Sequence, residues 1–124
     1  SGGQAARLAL ARTLCHGKPV LVLDDPFSAL DRNTEKQVFE HVKELSKDRI
    51  VFLISHRLYL FPEFDQVIWM DQKMGTCSSH ERLMAENPQY AELYRAQVSE
   101  KDENILSSEK KDHPDGAQKY EDIE

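Results

Sequence analysis

Two carboxylates stand side by side at Asp24 and Asp25, an imidazole stands at His56, and Ser1-Gly2-Gly3-Gln4 opens the chain with a hydroxyl and two glycines. Adjacent acids can divide labour around a phosphate. Asp24 would hold Mg²⁺ through its waters, and Asp25 would orient or deprotonate an attacking water. A histidine in reach can donate a hydrogen bond to a phosphoryl oxygen or to that water. Glycines and bare amides at a helix start admit an anion. Each group also has an ordinary structural use: acids in a solvated loop, a histidine satisfying a nearby backbone group, a Ser N-cap before flexible glycines. What separates the two uses is where the chain places these groups.

The elements that must do the placing are legible. Val20-Leu21-Val22-Leu23 is a continuous apolar run, predicting a strand buried on both faces and hence part of a parallel sheet. Asp24 and Asp25 then fall at its carboxyl end, where open α/β sheets bind ligands, so a nucleotide and its metal are expected there. Pro26 ends regular pairing. A helix is predicted over roughly 32 to 47, capped by Asp31, Asn33 or Thr34, with Val38, Phe39, Val42 and Leu45 as its apolar stripe. Ile50 to Ile54 is a second such strand, completing a βαβ unit. It delivers Ser55-His56-Arg57 to the same sheet edge as the acids, and that coincidence favours chemistry over the structural uses.

Around this unit, residues 1–4 precede a helix with Ala5, Leu8, Ala11, Leu14 and Cys15 at helical spacing, ended by His16-Gly17-Lys18-Pro19. Beyond it, a short amphipathic helix over 58–64 broken at Pro62, a third strand over 66–70, a loop over 71–78, a helix over 80–86 and another over 88–98 are expected. Trp69, Tyr90, Leu93 and Tyr94 read as packing residues.

Composition sets limits. With 124 residues the chain suits one small domain, and 40% hydrophobic against 31% charged residues is an ordinary soluble balance. The formal net charge of -6 makes nucleic acid an unexpected partner. Nine acids and four lysines from Ser99 onward account for -5 of it, so the acidity belongs to a tail, 99–124, which reads as disordered. Cys15 and Cys77 lack zinc spacing and read as reduced thiols, with a bridge left open. No apolar run approaches the roughly 18 residues that cross a bilayer, and no stretch of these 124 residues reads as a signal peptide. The chain begins without Met and enters a helical pattern at once, so it reads as cut from something longer.

Taken together, Ser-Gly-Gly-Gln at 1–4, the strand ending Asp24-Asp25-Pro26, Ser28-Ala29-Leu30-Asp31 and His56 resemble the C-terminal half of an ATP-binding cassette ATPase over residues 1–98. The resemblance implies an α/β fold, part of a RecA-like P-loop NTPase domain with a mainly parallel central sheet, truncated at its N-terminus. It implies that Ser1, Gly2, Gly3 and Gln4 are the signature that binds the γ-phosphate of ATP held by a second ATPase domain in a head-to-tail dimer. Asp24 matches the Walker B metal carboxylate, Asp25 the catalytic base position, Ser28 to Asp31 the D-loop crossing the dimer interface, and His56 the switch histidine. Ser79-His80-Glu81-Arg82-Leu83-Met84 with Tyr90-Ala91-Glu92-Leu93-Tyr94 is similar to the end of exporter-type domains. ATP and Mg²⁺ are the implied cofactors, transmembrane domains the further partners, and the cytoplasmic face of a membrane the implied location.

The chain departs from the family pattern in three ways. It contains no G-x-x-x-x-G-K-[ST] phosphate loop, so alone it is expected to hydrolyse ATP negligibly. The glutamine loop, adenine-stacking aromatic and membrane helices are absent as well. Asp25 stands where the family has Glu, drawing the carboxylate back by about 1.5 Å; exporters of this family built from two different halves often carry such an Asp in one half, so the resemblance implies one half of a heterodimeric exporter. Two other readings compete: an ATPase head from a chromosome-maintenance or DNA-repair relative, which would need heptad arms and a basic surface, and a truncated binding module lending its signature to an intact partner.

Overall fold

The computed structural model describes the backbone of residues 2–111 and the side chains of 3–105. Ser1 and the segment 112–124, with the Pro114-Asp115-Gly116 turn signal, lie outside the described residues. These residues group into two compact units, one ending at His56 and the other starting at Arg57.

In the first unit, helix α1 (Gly2–Cys15) leads to strand β1 (Val20–Asp24), helix α2 (Arg32–Leu45) and strand β2 (Ile50–Ile54). Gly17 ends the turn after α1 at φ +62°, in the left-handed region that a side chain would strain. Arg49 Nη1 donates to the Leu14 carbonyl at 3.1 Å, supplying one of the acceptors at that helix end with a cation. Strands β1 and β2 pair in parallel, from Val20 opposite Ile50 to Asp24 opposite Ile54. One face of the pair packs on the helices, where Leu10, Leu23 and Val42 form the core with Leu14, Val38, Val51 and Leu53 against it.

The other face is bare, with Val22 61% and Ile50 60% exposed. Burial of β1 on both faces is therefore not what these residues achieve. The apolar run specifies two apolar faces, but the described residues provide helices for one only.

The second unit opens with a 3-10 helix, Leu58–Glu63, containing Pro62, followed by β3 (Val67–Met70), β4 (Gly75–Ser78), α3 (His80–Glu86) and α4 (Pro88–Lys111). One expectation is corrected here. Strand β3 pairs antiparallel with β4, Val67 opposite Ser78 and Met70 opposite Gly75. The stretch expected to be a loop thus contains a strand. An Asp71 turn explains it: Oδ1 accepts from the amides of Lys73 at 2.7 Å and Met74 at 2.9 Å, and the Asp71 amide donates to the Met74 carbonyl at 3.0 Å, closing the hairpin. Those two amides hold the Asp71 carboxyl below its ordinary value.

Helix α4 also runs past Ser99, where apolar periodicity stops, to Lys111. Asn87 Oδ1 caps it by accepting from the Tyr90 amide at 3.0 Å, with Pro88 at its first position. Once nucleated, a helix extends one bond per residue through good formers such as Glu and Lys without needing an apolar stripe. Leu58, Val67, Leu83 and Tyr90 form this unit's core, with Phe61, Trp69, Met84 and Tyr94 packed against it.

Candidate functional site

The register of β1 and β2 does the placing. Asp24 lies opposite Ile54, and the Asp25 amide donates to the Ile54 carbonyl at 2.7 Å, extending the pairing one residue past the strand. The backbones of Asp24, Asp25, Ser55 and His56 therefore share one carboxyl-terminal sheet edge. Asp24 and His56 are exposed there, and Asp25 and Ser55 half-buried.

Asp25 has φ +44°, the one left-handed non-glycine residue among those described. Asp tolerates that region better than most side chains. The conformation turns the chain abruptly into Pro26 and Phe27. Phe27 is fully buried and meets Phe39 of α2 edge to face, ring centroids 6.2 Å apart. It anchors a tight turn in which the Leu30 amide donates to the Phe27 carbonyl at 3.0 Å.

That turn, Ser28 to Asp31, lies against the start of α1. A Cβ at Gly3 would stand 3.1 Å from the Ala29 carbonyl oxygen, a tight contact that would press the turn back by a few tenths of an ångström. Leu30 is buried, while Ser28, Ala29 and Asp31 are exposed. Both Asp31 oxygens are engaged, Oδ1 accepting from the Thr34 amide at 2.9 Å and Oδ2 from the Thr34 hydroxyl at 2.8 Å. Asp31 is thus the N-cap of α2 among the three candidates, and these bonds hold its carboxyl below the ordinary value.

The described residues thus bring two pairs of segments together, 24–25 with 55–56 and the start of α1 with the 28–31 turn. Helix α1 begins at Gly2, and Gln4 is exposed near its tip. Among the described residues no group of three or more His, Cys, Asp or Glu forms a metal cage. Two neighbouring carboxylates nevertheless suit Mg²⁺, which keeps its waters and takes one or two protein oxygens together with substrate phosphates. A recess of about 320 Å³ in the second unit, lined by Cys77, Arg82, Leu83 and Glu86 among others, contains none of these residues.

One polar pair in the second unit was not singled out from the sequence. His80 Nδ1 and the Tyr90 hydroxyl are 2.8 Å apart, both residues buried. Burial first, then Tyr94 and Glu81, push the Tyr90 hydroxyl up to about 12. A lone His at the first position of a helix carries no signal of such a partner ten residues away. Cys15 and Cys77 are free thiols, and among the described residues no helix is long and apolar enough to cross a membrane.

Known proteins similar to this chain include ATP-binding export and transport proteins. The chain is 43% identical over 101 residues to the ATP-dependent lipid A-core flippase of Haemophilus ducreyi, covering 81% of this chain and 17% of the flippase. It is 40% identical over 109 residues to the beta-(1-->2)glucan export ATP-binding/permease protein NdvA of Rhizobium meliloti, covering 87% and 19%. The glutathione/L-cysteine transport system ATP-binding/permease protein CydC of Bacillus subtilis is 38% identical over 102 residues, covering 82% and 18%. A solved bacterial Atm1-family ABC exporter with ATP bound superposes with a TM-score of 0.73 at 33% identity, over 79% of this chain and 18% of that one. No family model matches the chain.

The matched region belongs with the ATP-binding cassette exporters. The chain spans less than a fifth of the length of the relatives described above.

Proposed function

We propose that this chain supplies the second half of the ATP-hydrolysing domain of an ATP-binding cassette exporter, residues 1–98 doing so and the remainder forming an acidic extension. The observation that carries the reading is the shared edge of β1 and β2, which sets the backbones of Asp24 and Asp25 beside that of His56, in a chain similar to exporters over four-fifths of its length.

In this reading Asp24 binds Mg²⁺ through water and Asp25 orients the water that attacks the γ-phosphorus. His56 donates a hydrogen bond to a γ-phosphoryl oxygen, stabilising charge as it develops. Mg²⁺ supplies charge neutralisation across the phosphates. Ser1, Gly2, Gly3 and Gln4 act in trans, presenting helix-start amides to ATP held by a second ATPase domain. Ser28 to Asp31 cross that interface. The phosphate loop comes from sequence outside these 124 residues, so the chain alone hydrolyses ATP negligibly. Transmembrane domains couple the reaction to export from the cytoplasmic face.

Asp25 makes the parent one half of a heterodimer. A carboxylate withdrawn by about 1.5 Å from its catalytic position loses on the order of 100-fold in rate, leaving this half's own nucleotide slow while its signature completes the partner's site. Asp25→Glu in the assembled transporter should raise ATPase turnover by ~10- to 100-fold at the nucleotide bound to this half. Brisk hydrolysis by the unaltered chain as a homodimer, with no gain from Asp25→Glu, would sink the reading.

A further inference from the structure

Asp25 combines two backbone conditions that are ordinarily kept apart. It precedes Pro26, and the residue before a proline favours extended backbone at negative φ, yet its own φ is +44°. Asp tolerates the left-handed region better than most side chains, but still at a cost. Such a conformation persists only where the surrounding contacts impose it.

The contacts on its two flanks are unequal. On the strand side the Asp25 amide donates to the Ile54 carbonyl at 2.7 Å, a short bond that fixes the peptide entering Asp25. On the other side the Ser28 amide reaches the Asp25 carbonyl only at 3.4 Å, longer than a strong N–H···O bond, and Pro26 has no N–H to give. Hydrogen bonding holds one flank, and the other needs a different restraint. Phe27 supplies it. Its side chain is fully buried, its ring meets that of the equally buried Phe39 edge to face, and its carbonyl accepts from the Leu30 amide at 3.0 Å. Because the proline ring locks φ of residue 26, only about two soft dihedrals separate Cα of Asp25 from Cα of Phe27.

We propose that Phe27 is a positioning residue for Asp25: its buried ring holds the chain beyond Pro26 on the course that a left-handed Asp25 joins to β1, and so fixes where the Asp25 carboxylate stands at the sheet edge. The proposal rests on the reading of Asp25 as the group that orients the attacking water. Cβ leaves the backbone in a direction set by φ and ψ, so relaxing Asp25 to negative φ swings the carboxylate aside, and a displacement of about 1 Å is already costly at a reacting group. Leu at position 27 empties less of the site than Ala and lacks the ring that Phe39 abuts, so it loosens the restraint. The carboxylate then spends part of its time out of place, and the rate falls in proportion.

Two measurements test this. In the 124-residue chain, the intraresidue HN–Hα NOE of Asp25, strong only at positive φ, is compared for the unaltered protein, Phe27→Leu, Phe39→Leu and Val22→Thr. It should be strong in the unaltered chain and lose much of its intensity in Phe27→Leu. Phe39→Leu should lose less, and Val22→Thr, on the bare face of β1, nothing. If Phe27→Leu fails to fold, Phe39→Leu decides. A weak NOE in the unaltered chain overturns the proposal, as does one that stays strong in the folded position-27 and position-39 variants.

In the assembled transporter, Phe27→Leu should lower kcat for the nucleotide bound to this half by ~3- to 10-fold with KM nearly unchanged. It should cost nothing further in an Asp25→Asn background, which keeps the backbone preference and removes the carboxylate. A full additional loss there overturns the proposal, and so does an unchanged kcat in Phe27→Leu where Asp25→Asn is inactive. If the NOE weakens as expected but Asp25→Asn leaves turnover intact, Phe27 still positions Asp25 and it is the water-orienting reading that falls.

Discussion

The unit ending at His56 carries every residue singled out for chemistry and leaves one face of its sheet bare, whereas the unit starting at Arg57 carries none of them and closes its core around Tyr90. In the first, Val20, Val22, Ile50, Phe52 and Ile54 are all exposed; in the second, hairpin, 3-10 helix and two helices converge on Leu58, Val67, Leu83 and Tyr90. The difference follows from connectivity. A parallel pair needs a crossover helix, which covers one face and leaves the carboxyl ends of both strands open for side chains such as Asp25 and His56. A hairpin followed at once by two helices closes on itself with short connections.

Substitutions can break or sharpen that contrast. The largest effect is expected from Phe27→Ala, which empties the fully buried site behind the Asp25 turn and should cost about 3–5 kcal/mol. Trp69 is the chain's single tryptophan and lies in the second unit. Urea unfolding followed by far-UV circular dichroism should therefore shift more than the Trp69 fluorescence transition. Coincident shifts would merge the two regions into one cooperative unit.

Next comes Tyr90→Phe, which leaves His80 Nδ1 without the hydroxyl at 2.8 Å and should destabilise the second unit by about 1–2 kcal/mol. A pH signature accompanies it. The Tyr90 hydroxyl keeps its proton to about 12 when folded, against an ordinary 10.0. Between those values the unfolded chain has released a proton that the folded chain retains. The stability contribution is therefore complete below pH 10 and declines as pH rises toward 12. Alkaline melting monitored at Trp69 should show this decline in the unaltered chain and a weaker one in Tyr90→Phe.

The smallest effect is expected on the bare face. Val22 is 61% exposed and its neighbour Leu23 only 4%. Val22→Thr should change the chain's stability by no more than about 0.5 kcal/mol, while Leu23→Ala, one position along the same strand, should cost about 2–5 kcal/mol. Equal losses in denaturant titrations would mean that both faces of β1 are covered in solution.

Much of this was legible in residue order because the signals are local. The two apolar runs become β1 and β2, Asp31, one of the three candidates, caps α2, Gly17 ends the turn after α1, and His80 to Glu86 is a helix. Less legible was the buried side of α1. The spacing pointed to Ala5, Leu8, Ala11, Leu14 and Cys15; Leu14 does pack on the core, yet Leu8 is 54% exposed and Leu10 is buried. In an alanine-rich helix several stripes match the period equally well, and only the facing sheet selects one.

By itself the residue order determined where strands and helices start, which side chains stand at strand ends, and the family those motifs imply, since each depends on neighbours within a few positions. Folding decided the rest. It made a strand of Gly75–Ser78 by pairing it with β3, set the Asp25 backbone at φ +44° over a buried Phe27, and brought Gln97 to the Leu58 amide. These depend on partners distant in sequence, whose proximity exists only after the chain has closed loops and buried apolar area, and no short-range pattern encodes it.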